Sequence, residues 1–64
     1  MNKVRYIREY CGSKLIKGPI WDKESGTWDL IFKERGGTDE VCVPFESQPE
    51  LRKTMAKLKL KPVK

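Results

Sequence analysis

Between Thr27 and Lys33 apolar and polar side chains alternate: Trp28, Leu30 and Phe32 share one face of a period-two pattern, Asp29 and Lys33 the other. Such alternation marks a strand with one side buried and one side wet. The run Val41-Cys42-Val43-Pro44-Phe45 repeats it, with Val41, Val43 and Phe45 on a common face. Between the two lies Glu34-Arg35-Gly36-Gly37-Thr38-Asp39, and the Gly-Gly pair predicts an antiparallel hairpin whose turn needs positive φ. Upstream, Lys14 to Trp21 is apolar enough for a third strand. Pro19 within it has no N–H to give a ladder, so it belongs at an edge or a bulge. Asp22-Lys23-Glu24-Ser25-Gly26 then supplies the turn into the central strand, which completes a three-stranded meander.

The spacing changes after Phe45. Ser47-Gln48-Pro49-Glu50 has the Ser-x-x-Glu pattern of a capping box, in which the serine accepts from a first-turn N–H and the glutamate reaches back to the cap. Leu51, Met55 and Leu58 follow at i, i+4 and i+7, a stripe able to cover a sheet. A helix from about 48 to 59 is predicted, ending before Pro62. Beyond it the basic tail is expected to fray.

Residues 3–11 read two ways. Val4, Tyr6 and Tyr10 at alternate positions, in a stretch rich in aromatic and β-branched types, favour a strand with Ile7 on its other face. Asn2 as N-cap, Val4, Ile7 and Cys11 at helical spacing, and Gly12 as C-terminal cap describe a helix instead. With the strand preferred, the expectation is an α+β fold: a small three- or four-stranded antiparallel sheet packed against one C-terminal helix. Residues 1–60 make one domain and 61–64 a basic tail. The expected core is Val4, Tyr6, Leu15, Trp28, Leu30, Phe32, Val41, Val43, Phe45, Leu51, Met55 and Leu58.

Gly26-Thr27-Trp28 opening the central strand and Phe45-Glu46-Ser47-Gln48-Pro49-Glu50 leading into the helix give an outline that resembles the DNA-binding domains at the N-termini of some tyrosine integrases and of the AP2 class. In those domains the sheet enters the major groove through basic residues. The strands here carry Asp29, Glu34, Asp39 and Glu40, so the resemblance extends to the arrangement of elements only.

Composition narrows the chemistry. A chain of 64 residues makes one domain and buries only about 60% of the surface it exposes when unfolded. It contains no histidine, so Cys11 and Cys42 lack the usual base that activates a nucleophile. Far apart and outside any CxxC pair, the two thiols do not have zinc-ligand spacing, and they are read as free. The acidic residues show no calcium-loop spacing, and no GxGxxG or Walker-type lysine loop occurs. A non-enzymatic protein without cofactor or metal is expected. No stretch approaches the roughly 20 apolar residues of a membrane span, and no signal-peptide h-region follows Met1. The expected setting is cytoplasmic, away from membranes.

Charge is divided along the chain. Residues 1–20 carry Lys3, Arg5, Arg8, Lys14 and Lys17 against Glu9; residues 21–46 are acidic; residues 47–64 carry six cations against Glu50, for a net charge of +5. Basic ends point to a phosphate polymer. The favoured partner is therefore nucleic acid, DNA or RNA, held by Lys3, Arg5, Arg8, Lys14, Lys17, Arg52, Lys53, Lys57, Lys59 and Lys61, with Tyr6, Tyr10 and Trp21 available to stack on bases. The alternative is a protein-binding accessory or inhibitor, of the size that phages and other mobile elements encode, using an open strand edge near Ile16 to Trp21. The same edge admits a homodimer.

Overall fold

A computed structural model describes residues 3–63, with the side chain of Ser13 excepted. The elements run α1 (Lys3–Tyr10), β1 (Cys11–Asp22), β2 (Thr27–Glu34), β3 (Glu40–Phe45) and α2 (Gln48–Lys57). The strands form an antiparallel sheet in the order β1-β2-β3, and α2 packs against it as the period-two and period-four stripes require. On the covered face Leu30 stands opposite Val43 and Phe32 opposite Val41, with Leu15 across from Phe32 on the other side. Leu30, Phe32 and Phe45 are wholly buried there, and Leu51 and Met55 of α2 close over them.

β1 is longer than its partner, and the excess is taken up in three register shifts. Pro19 sits in the last of them, on an edge strand, where a missing N–H leaves no ladder bond unmade. Gly18 beside it has φ of 127°, and a β-carbon there would stand 2.7 Å from the carbonyl oxygen of Asp29. No other residue fits this close approach to β2 without movement of the backbone.

The first element corrects the preferred strand reading: residues 3–10 are a helix. Ile7, assigned to the outer side of a strand, is 4% exposed, and Cys11 at i+4 is equally buried. Val4, expected inside, is half-buried and Tyr6 packs on the margin of the core. β-branched and aromatic content favours a strand only where a neighbouring strand can pair with it. Here the apolar residues at helical spacing reach the core from one helix face, and tertiary burial outweighs propensity. Asn2, the proposed cap, lies outside the described residues.

Local signals close α2 at both ends. Ser47 adopts an extended conformation as N-cap, and its Oγ accepts from the Glu50 amide at 3.5 Å, the first half of the capping box. At the other end the amide of Lys59 donates to Ala56 and that of Leu60 to Met55, a Schellman pattern with Lys59 at φ of 55° in the left-handed region. Leu60 then packs on the core. The expectation of a fraying tail is corrected as well: Val63 exchanges two backbone hydrogen bonds with Gly18, at 2.9 and 2.8 Å, so the segment returns to the edge of β1. Two unfilled backbone positions at a sheet edge offer it that anchor. Lys64 lies outside the described residues.

Candidate functional site

α2 turns Leu51, Thr54 and Met55 inward, and the same rotation turns Arg52, Lys53 and Lys57 outward, all exposed. None of the three has a carboxylate at ion-pair distance among the described residues. Lys59 and Lys61 continue this charge beyond the helix and are also exposed. Lys57 additionally lies in the last turn, where a cation is favourable to the helix dipole whatever it binds.

α1 is mixed. Arg8 is exposed in its last turn, whereas Arg5 is engaged with Glu9 at 3.1 Å. Lys3 is used within the molecule: its ammonium lies 4.6 Å from the centre of the Phe45 ring and donates to the Pro44 carbonyl on the edge of β3. The aromatic candidates separate too. Tyr6 is half-buried with its ring 4.9 Å from that of Tyr10, which is 55% exposed. Trp21 is 52% exposed but lies against Trp28 at 4.9 Å, beside the β1–β2 turn and at the opposite end of the sheet from Tyr10.

Lys14 and Lys17 belong to β1 and do not join the helical side. Lys17 pairs with Ile31, whose neighbours Leu30 and Phe32 point into the core, so Lys17 lies on the sheet face away from the helices. Lys14, next to buried Leu15, lies beside Lys33 in a shallow cleft of about 360 Å³ that also borders Glu34, Arg35 and the Gly36-Gly37 turn. The proposed residues thus divide into a helical group, an internal one (Lys3), a sheet-face one (Lys17) and a turn-end one (Lys14).

The turn end brings in two cations from the acidic middle of the chain, Lys33 and Arg35. Arg35 follows the central strand, and its amide donates to the Tyr10 carbonyl at 2.9 Å while its Nη1 donates to the Arg8 carbonyl at 2.7 Å. A second cleft of about 420 Å³ opens beside it, where the ends of α1 and α2 meet the start of β1. Its lining is apolar, with Leu58 and Leu60 half-buried over the buried Ile7, Cys11 and Phe32, and Arg8 and Arg35 are its charged members. The two clefts share Gly12 and Arg35. Comparison with protein-family models, curated proteins and solved structures returns no match. What the site can do follows from its own residues.

The thiols are free, Cys11 buried and Cys42 exposed. Burial pushes the Cys11 thiol above its ordinary value, and Cys42, though exposed, is raised by partial desolvation and then by the nearby Asp29 carboxylate. Raised thiols are mostly protonated at neutral pH, the reverse of what activates a cysteine nucleophile. Among the described residues no group of three or more His, Cys, Asp or Glu is arranged to hold a metal. Nor is any helix among them long and apolar enough to cross a membrane.

Carboxylates stand at both ends of the sheet: Glu34, Asp39 and Glu40 at the β2–β3 end, and Asp22, Glu24 and Asp29 at the other. Asp22 accepts from the Glu24 amide at 3.0 Å and from Ser25 Oγ at 2.8 Å, and Thr27 Oγ1 donates to Asp29 at 2.8 Å. Hydrogen bonding by Ser25 and the Glu24 amide holds the Asp22 carboxyl below its usual range. This carboxylate-bearing turn is at the far end of β2 from Arg35.

Proposed function

We propose that this chain is a non-enzymatic nucleic-acid-binding domain that grips the phosphate backbone with the outer side of its helical layer. One observation carries the reading: the outer face of α2 presents Arg52, Lys53 and Lys57 to solvent with no carboxylate within ion-pair distance among the described residues. Cations held on a rigid helix and left unpaired are free to displace the counterions of a phosphate polymer, the main source of affinity for nucleic acids. Arg8, Lys59 and Lys61, also exposed, extend the same charge. The sheet is not the reading surface in this proposal, because Asp29 and, across from Lys33, Glu40 lie on its uncovered face and would repel phosphate.

A second reading has its own support. Ile16, Ile20 and Trp21 are large apolar side chains exposed along β1, and Val63 beside Gly18 is exposed as well. A protein partner would cover such a strip.

Fluorescence anisotropy with labelled duplex DNA, single-stranded DNA and RNA at two salt concentrations separates the two. Engagement of six phosphates on duplex predicts a slope of log K against log salt near −5. Replacement of Arg52, Lys53 and Lys57 together by Gln should reduce that slope by about half. Absence of binding at low salt ends the nucleic-acid reading and leaves the protein partner.

A further inference from the structure

The cleft between the ends of α1 and α2 has a chemistry that the phosphate grip does not use. Its accessible hydrocarbon comes from the half-buried Leu58 and Leu60, with Ile7, Cys11 and Phe32 buried beneath, and its charged members are the guanidiniums of Arg8 and Arg35. Purely electrostatic contact with a polyanion requires no apolar recess. A recess of about 420 Å³ is within the range that encloses a small organic group, and two arginines beside it select one that is flat or anionic.

Arg35 is fixed for this role. Its Nη1 is spent on the Arg8 carbonyl at 2.7 Å and its amide on the Tyr10 carbonyl at 2.9 Å, which ties the turn to the end of α1. A guanidinium has five N–H donors in a rigid plane, so one such bond orients the group and leaves others to meet a ligand. On its other side lies the second cleft with Lys14 and Lys33, beside the Gly36-Gly37 turn, where the Glu34 side chain lies against Gly37. Glu34 is the acidic member of that cleft, against three cations. An apolar recess adjoining a cationic trough matches the alternation of base and phosphate along a single strand.

Resting on the nucleic-acid reading above, we infer that the cleft lined by Ile7, Phe32, Leu58, Leu60, Arg8 and Arg35 receives one unpaired base, so that the protein prefers single-stranded nucleic acid to duplex. The base lies against Leu58 and Leu60, the two guanidiniums hold its flanking phosphates, and the strand continues past Lys14. A duplex keeps its bases stacked and its apolar surface hidden, so it meets the outer cations alone.

The test titrates the whole chain with oligothymidylate and oligouridylate of about ten nucleotides, a duplex of the same length, and inorganic phosphate. Anisotropy and backbone amide NMR are the readouts. Single strands should bind about tenfold tighter than duplex at equal salt. The amides of Gly12, Arg35 and Leu60 should shift with either oligonucleotide and stay still with phosphate; the stronger of the two oligonucleotides identifies DNA or RNA as the natural source. Arg35→Lys keeps the charge but loses the planar fork, and should lower single-strand affinity while leaving duplex affinity near that of the parent. Arg8→Gln removes one of the outer cations as well, so it should weaken both ligands but single strand by the larger factor; it retains the backbone carbonyl that accepts from Arg35, and it serves if the Arg35 variant no longer melts cooperatively. Equal affinity for duplex and single strand, or shifts confined to the outer face of α2, overturns this inference and leaves the phosphate grip standing. Failure of every nucleic acid to bind removes both.

Discussion

Each end of the sheet closes through a turn with a positive-φ glycine, and the two use their polar side chains differently. At the β1–β2 end Gly26 takes positive φ, and Asp22, Ser25, Thr27 and Asp29 satisfy one another by hydrogen bonds within the turn. At the β2–β3 end Gly36 takes positive φ, but the polar group beside it, Arg35, reaches across to α1 and borders an open cleft. A turn that closes on itself consumes its polar groups. One whose side chains bond to another element can hold them in place and still leave donors for a ligand, and that difference locates the candidate site at the second end.

The contrast can be broken first through packing. Phe32, fully buried under the cleft, should cost about 3–5 kcal/mol on replacement by Ala, a large part of the stability of a domain this small. Trp28, on the same strand face at the closed end, is only half-buried, and Trp28→Ala should cost less. Urea melts of the two variants decide this, and a larger loss at Trp28 would reverse the description of the ends. A smaller gain is expected at Lys59, near the cleft, which is held at φ of 55° in a region that L-residues avoid. Lys59→Gly should raise stability by up to about 1 kcal/mol, read as a higher urea midpoint; an unchanged or lowered midpoint would show that the Schellman turn carries no strain there.

The smallest effect belongs to the closed end. Hydrogen bonds lower the folded-state value of the Asp22 carboxyl, so its contribution is complete above the unfolded value of about 3.9 and is lost as pH falls through the folded one. Asp22→Asn should therefore flatten the acid limb of the melting temperature against pH. Parallel acid limbs for parent and variant would remove the turn's carboxylate from the account.

The α+β fold was legible because its signals are local. Trp28, Leu30 and Phe32 announce β2 by period, Pro19 marks an irregular edge strand, and Ser47 with Glu50 marks the start of α2. α1 was misread because eight residues rich in aromatic and β-branched types suit either period, and only the burial of Ile7 and Cys11 chooses. The C-terminal return escaped notice for a similar reason: Lys59 stands where a glycine would have signalled the turn, and the backbone bonds from Val63 to Gly18 leave no pattern in side chains. Of the candidate site, the outer cations of α2 could be read from helical spacing, whereas Lys33 and Arg35 were hidden among the carboxylates of the chain's middle.

The sequence by itself determined the strands, the capped helix and the abundance of positive charge, because alternation, capping and composition act over a few neighbouring residues. Only the tertiary structure decided that Lys3 turns inward to Phe45, that Lys17 lies on the far face, and that Arg8 and Arg35, 27 positions apart, share one cleft. Those outcomes depend on which distant segments meet when the apolar faces are buried together, and that is a property of the whole packed chain.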